Sequence, residues 1–265
     1  MRLTSHKALR RGRDPRSDKP VFRQIADHLR EAIQNGTLAP GDKLPSEAEF
    51  VAHYEVARMT VRSALQQLQT EGLVLSEHGR GVFVRPRPQI RRLASDRFAR
   101  RHRQEGKAAF LAESASAGAE PTVDLIHVRE EVADADIARR LGLATGEPVL
   151  VRSRRYALNG SPVETATSYI PARIARGTRI SEDNPGPGGV YARLEDLGHV
   201  LGHFEEEVTA RMPAPDEIEI LQLRTGIPVF CLIRTAFDVT GNPVEVCDTI
   251  LSSDVYVLTY DLPAR

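Results

Sequence analysis

The sequence predicts an α+β protein of two domains: a winged helix-turn-helix, then an antiparallel sheet with helices on a face. Three observations carry this. Residues 44–84 hold, in order, a capped helix start, a short turn, an amphipathic helix and a glycine-centred hairpin. A second pattern of helix, turn, strand, hairpin and strand occurs twice in the C-terminal half, about 80 residues apart. The net charge of zero conceals a split, with 22 Lys+Arg against 12 Asp+Glu in residues 1–107 and 14 against 24 thereafter. The basic half is suited to a polyanion and predicts salt-dependent binding, whereas the acidic half should stay away from one. At 265 residues there is enough chain for two cores of ordinary size.

Residues 1–20 carry seven basic residues and few apolar ones, which predicts a basic tail disordered in isolation. It serves either as a solubilising leader or as an arm adding phosphate or minor-groove contacts. Val21 to Asn35 places Phe22, Ile25, Ala26, Leu29 and Ile33 on one helical face, and Gly36 ends that helix. Ser46 followed by Glu49 is a capping box and starts the next helix, which runs through Phe50, Val51 and Tyr54. A turn at Glu55 to Ala57 leads into a helix with Val61, Ala64, Leu65 and Leu68 on its apolar face and Gly72 as its left-handed cap. Its other face presents Arg58, Thr60, Arg62 and Ser63, residue types suited to a major groove, where arginine pairs with guanine. The hairpin that follows has a basic tip, Glu77-His78-Gly79-Arg80-Gly81. Lys43, Ser46, Arg58, Thr60, Arg62, Ser63, His78, Gly79, Arg80 and Gly81 are the candidate DNA-contacting residues.

The stretches FRQIADHLREAIQNGTLAPGDKLPSEAEF, YEVARMTVRSALQQLQTEGLV and HGRGVFV, all within residues 21–84, resemble the DNA-binding domain of the GntR family of bacterial transcription regulators. That resemblance implies a homodimer on a near-palindromic operator, with Arg58 and Arg62 as main readers and the hairpin tip as a second contact. Ala48 stands where many members have a basic residue, and Ala57 where a serine or threonine is common.

Residues 85–107 are rich in arginine and proline and read as a linker. It is either a solvated connector, or Arg91, Arg92, Arg100 and Arg101 follow the DNA backbone or transmit ligand binding. In residues 108–265 the repeat aligns Leu141, Leu143, Thr145, Gly146, Pro148, Val149 and Arg154 with Leu221, Leu223, Thr225, Gly226, Pro228, Val229 and Arg234. After a one-residue insertion, Gly160, Pro162, Val163 and Glu164 align with Gly241, Pro243, Val244 and Glu245. Two such units predict one antiparallel sheet with pseudo-two-fold symmetry.

The runs GEPVLVRSRRY, NGSPVETATSYIP and GNPVEVCDTILSSDVYVL resemble the UTRA effector-binding domain of the HutC-type branch, whose fold is that of chorismate lyase. The resemblance implies a pocket for a small, often anionic ligand, and carried over by position it implicates Arg152, Arg154, Glu164 and Ser168 with Glu245, Asp254 and Tyr256. Arg234, the repeat mate of Arg154, joins these candidates. Arg154 with Glu164, or Arg234 with Glu245, could instead be cross-strand ion pairs holding the halves together. Arg152 has Leu232 as its counterpart, so the asymmetric arginine is the stronger ligand candidate. The loop Asn184 to Gly189 either presents amides to an anion at a helix N-terminus or only connects.

A DNA-binding regulator, a repressor modulated by a small-molecule effector, is the function expected. The alternatives are a chorismate lyase-like enzyme joined to a DNA-binding domain, and a dimeric repressor that senses nothing. No nucleophile with a partnering base at recognisable spacing supports catalysis, and His127, His199 and His203 are isolated in sequence. Cys231 and Cys247 lack metal-ligand spacing and read as free thiols, so neither a metal nor a cofactor is expected. The absence of a long apolar run leads to the expectation of a soluble cytoplasmic protein.

Overall fold

The computed structural model describes residues 12–77, 79–86, 90–106, 108–116, 119–224 and 226–262. His78, Thr225, Lys107 and the first eleven residues of the basic tail lie outside the described residues. The chain divides into two compact units, the first up to Arg87 together with Arg224–Ile227, the second made of the remainder.

In the first unit, α1 (Val21–Gln34), α2 (Glu47–Tyr54) and α3 (Arg58–Thr70) precede the hairpin of β1 (Val74–Glu77) and β2 (Gly81–Val84). Helical spacing in α1 and α3 gathers Ile25, Leu29, Val61 and Leu68, all fully buried, around Phe50 and Tyr54 of α2. The capping box forms as the sequence predicts: the Glu49 amide donates to Ser46 Oγ at 3.3 Å and the Ser46 amide to Glu49 Oε2 at 2.7 Å. By contrast Ala57 offers α3 no side-chain cap. Antiparallel pairing from Val74↔Val84 to Glu77↔Gly81 makes the wing, and its turn requires φ of +71° at Gly79 and +118° at Gly81. Residues 12–20, grouped by sequence with the basic tail, are tied to α1. Gln24 accepts from the Asp14 amide and donates to the Lys19 carbonyl, both at 2.9 Å, and Lys19 pairs with Asp27 at 2.7 Å.

The second unit begins inside the segment that sequence assigned to a linker. There β3 (Ile90–Leu93) pairs in parallel with β10 (Tyr256–Thr259) at the far end of the chain. The short helices α4 (Ala94–Arg97), α5 (Arg100–Gln104) and α6 (Ala109–Ser116) follow it. Composition suggested solvation, but Arg92 is only 2% exposed, because carboxylates contributed by distant strands lie around its guanidinium.

The main sheet has six antiparallel strands in the order β4-β5-β6-β9-β8-β7. In chain order its elements are β4 (Pro121–Val132), α7 (Ala135–Leu141), β5 (Pro148–Leu158) and β6 (Ser161–Pro171). Next come α8 (Ala172–Ala175) and α9 (Gly189–Asp196), then β7 (Leu201–Arg211), α10 (Pro215–Ile220), β8 (Val229–Asp238) and β9 (Pro243–Ser252). The repeat is therefore real in three dimensions, with β6 and β9 paired at the centre and Ser168 opposite Cys247. Each copy is one strand longer than its sequence signal. The outer strands β4 and β7 are largely exposed and lack the alternation that marks a half-buried strand.

The insertion between the copies has a structural reason. The first hairpin turns through Asn159-Gly160, with φ of +50° and +78°. The second turns around the Asp238 carboxylate, which accepts from the Thr240 amide at 2.9 Å, the Thr240 hydroxyl at 2.6 Å and the Asn242 amide at 3.0 Å. Its other oxygen lies 3.2 Å from His199 Nδ1. Burial alone would raise this carboxyl, but the hydrogen bonds from Thr240, Asn242 and His199 outweigh it and hold the group below the ordinary carboxylate range. A carboxyl depressed in the folded state stabilises fully above its unfolded value of about 4, and that contribution drains as pH falls further. The melting temperature should thus fall more between pH 7 and pH 3 in the wild type than in Asp238→Asn, as measured by circular dichroism. Equal falls would show that Asp238 does not govern acid stability.

Candidate functional site

Two sites emerge, one in each unit. On the first unit, Arg58 and Arg62 project from the N-terminal half of α3, with side chains 68% and 52% exposed. Both guanidiniums donate through Nε to the Glu47 carboxylate on α2. Sequence reading missed Glu47, because its partners lie 11 and 15 residues away and no local spacing rule reaches them. Met59, 66% exposed between the two arginines in sequence, was missed as well. Ser63 donates its hydroxyl to the Met59 carbonyl at 3.0 Å, and Ser46 Oγ is engaged in its capping box. On the wing, the Lys43 ammonium and the Arg80 guanidinium lie 5.9 Å and 5.6 Å from the centre of the Phe83 ring, which gathers two cations beside Gly81. Even a methyl group at Gly81 would come within 2.9 Å of the Lys43 side chain.

The second unit holds a cavity of about 390 Å³ above the centre of the sheet. Of the predicted effector residues, Arg152, Arg154, Arg234 and Glu245 line it. Strand periodicity explains the placement, since alternate residues of β5 share a face and bring Arg152, Arg154 and Tyr156 to one side. Arg152 is 4% exposed and donates to the backbone carbonyls of Glu182 and Asp183, pinning the loop that forms one wall. Burial, then the like charge of Arg154, push its guanidinium down. Arg154 donates to the Tyr156 hydroxyl at 2.7 Å and to Ser168 Oγ at 2.9 Å. Burial would lower it, yet Tyr156, Cys247 and Glu245 together hold it firmly charged. Arg234 donates to the Tyr191 hydroxyl at 2.9 Å and lies 4.4 Å from the centre of the Phe98 ring.

Glu164, Ser168, Tyr256 and Asp254 do not line the cavity. Ser168, fully buried, serves Arg154 from the adjacent strand. Glu164 lies 3.7 Å from Arg92 and 3.6 Å from Arg97, two arginines of the segment read as a linker. Tyr256 is buried on β10, and Asp254 sits in the turn before that strand. The cross-strand alternative fails in its simple form, because register sets Arg154 opposite Ala166 and Arg234 opposite Cys247. Glu245 acts instead as a shared negative charge for Arg154 and Arg234.

Sequence reading also missed Arg97, Tyr156, Tyr191 and Phe110 as lining residues. Tyr156 could have been found from strand parity; the others come from helices and the supposed linker. Burial, then the Arg92 charge, push Arg97 down to about 10, and Glu113 and Glu164 flank it. The loop from Asp183 into α9 forms a further wall, where Gly188 adopts φ +77° and an added methyl would meet Ala192 at 2.6 Å. The lining therefore combines four guanidiniums with two carboxylates, Glu245 and Asp183, and with apolar side chains that include Phe110, Val123 and Ile126. Among the described residues no cluster of three His, Cys, Asp or Glu side chains could hold a metal ion, and no helix is long and apolar enough to cross a membrane.

Comparison with known proteins matches each unit to a family model. Residues 22–84 match the family of bacterial regulatory proteins named for gntR, and residues 116–257 match the UTRA domain. An HTH-type transcriptional regulator of Streptomyces coelicolor is 34% identical over 91% of this chain and 92% of its own length. The transcriptional repressor NagR of Bacillus subtilis is 26% identical, covering 91% of this chain and 94% of its own. Among solved structures, PhnF from Mycobacterium smegmatis superposes with a TM-score of 0.58 at 26% identity, over 92% of this chain and 100% of that one. A second GntR-family regulator superposes at 0.67 with 29% identity, over 94% and 99%. The chain is a DNA-binding transcription regulator of the GntR family, its operator binding modulated by a small-molecule effector through a UTRA domain.

Proposed function

We propose that the protein is a homodimeric cytoplasmic repressor that leaves a near-palindromic operator when a small anion with an apolar body fills the UTRA cavity, and that it does no catalysis. The observation that supports this most is the composition of the cavity, four arginines against two carboxylates with apolar side chains among the lining. Among the described residues Arg152 has only carbonyl oxygens as hydrogen-bond partners, so an incoming carboxylate or phosphate would give its charge a better match. The relative from Bacillus subtilis is named a repressor, which favours repression here too. Ligand and operator are then linked through dimer arrangements that bind DNA unequally.

The test is a thermal-shift screen with sugar phosphates, hydroxy acids and aromatic carboxylates, followed by operator binding with each hit. A ligand at 100 times its Kd should stabilise by about 2.7 kcal/mol. Arg234→Gln should remove most of that gain and also the ligand's effect on operator affinity. A hit that the variant binds equally well would place the effector outside this cavity. A hit consumed on incubation, seen by mass spectrometry, would make the protein an enzyme.

A further inference from the structure

We infer that Glu47 is a specificity-determining residue of the DNA-reading surface: it holds Arg58 and Arg62 by their Nε atoms and so fixes the direction of both guanidinium edges before DNA arrives. The geometry is selective about which atoms it engages. Glu47 accepts from Arg58 Nε through Oε2, and from Arg62 Nε through Oε1 at 3.0 Å and Oε2 at 3.2 Å. Among the described residues no acceptor bonds the terminal nitrogens of either side chain. A guanine presents O6 and N7 side by side in the major groove, which is the arrangement that a guanidinium edge recognises.

An exposed ion pair of this kind adds little to folding, so stability gives no strong reason for one carboxylate to serve two arginines. DNA reading supplies the reason, on two counts. A free arginine side chain samples many rotamers, and random DNA accepts most of them because phosphates surround the protein; guanine accepts very few. Tethering at Nε therefore favours the guanine contact over the phosphate contact. Glu47 also places negative charge beside the backbone it approaches, which weakens sequence-independent binding. Ala48, next in the chain, adds no cation to offset that charge. The paired arginines in turn hold the Glu47 carboxyl below its ordinary range, Arg58 contributing most, so the tether persists at neutral pH.

The experiment starts with a duplex selected by the full-length wild type from a randomised pool. Binding of wild type, Glu47→Ala and Glu47→Asp is then measured by fluorescence anisotropy on that duplex, on single guanine replacements and on an unrelated duplex. Discrimination against the replacements should fall roughly tenfold in Glu47→Ala, the lower part of what one paired arginine contact provides. Binding to the unrelated duplex should tighten. Glu47→Asp keeps the charge and the helix start but shortens the reach, so it should lose discrimination without tightening on random DNA. Unchanged discrimination in both variants would overturn the inference. So would a parallel loss of binding to all duplexes with a lowered melting temperature, which would reduce Glu47 to a helix-start residue.

Discussion

Glu164→Ala is expected to destabilise the UTRA domain by about 3–5 kcal/mol, the range for breaking a buried ion pair from one side. Glu164 is 1% exposed and sits between Arg92 and Arg97, which are 2% and 9% exposed. Removing the carboxylate leaves two guanidiniums facing each other in a region where water cannot replace it. The remaining carboxylates do not compensate: Glu206 is shared between Arg92 at 3.6 Å and Arg234 at 3.8 Å, and Glu113 already serves Arg97. In a domain of this size the shift in melting temperature is on the order of 10 °C. Circular dichroism of the full chain would measure it, and a shift of only one or two degrees would mean that the arginines find other partners. Glu164→Gln, which keeps shape and one acceptor, should fall between the variant and the wild type.

Arg62→Ala is expected to weaken operator binding by about 1–3 kcal/mol, and Arg58→Ala by a similar amount, with discrimination lost at the bases each arginine reads. The two side chains stand four residues apart on one helix and are exposed, so each truncation is expected to remove a base contact without touching the core. At the wing, Arg80→Gln, or Lys43→Gln on the segment bridged to Phe83, should weaken binding to all sequences evenly and reduce the salt slope by about one. Anisotropy titrations at several salt concentrations separate the two classes. If Arg62→Ala weakened operator and random DNA equally, Arg62 would be a phosphate contact and base reading would belong elsewhere on α3.

Much of this protein was determined by short-range sequence alone. The capping box at Ser46 and Glu49, the helical spacing in α1 and α3, and the glycines of the wing each act within a few residues, so each was legible without coordinates. The repeat was legible for the same reason, because each copy carries its own helix, turn and hairpin. Its outer strands were not, since β4 and β7 bury little and their patterns carry no period. What tertiary structure alone decided were the partnerships of charged groups. Arg92 and Arg97 lie in a segment whose composition reads as a linker, either solvated or, for Arg92, contacting DNA or transmitting ligand binding. Yet both are buried because a parallel pairing with β10, more than 160 residues away in sequence, carries them beside Glu164 and Glu206. Residue types left Arg154 open to either a ligand role or a pair with Glu164, and strand register gave it Tyr156 and Ser168 as partners. Glu47 is a first-turn acid in the sequence, and only the packing of α2 against α3 joined it to both Arg58 and Arg62. Ion pairs at helical spacing, such as Arg140 with Asp136, follow from the local sequence, but these buried and cross-element pairs follow from where the chain returns.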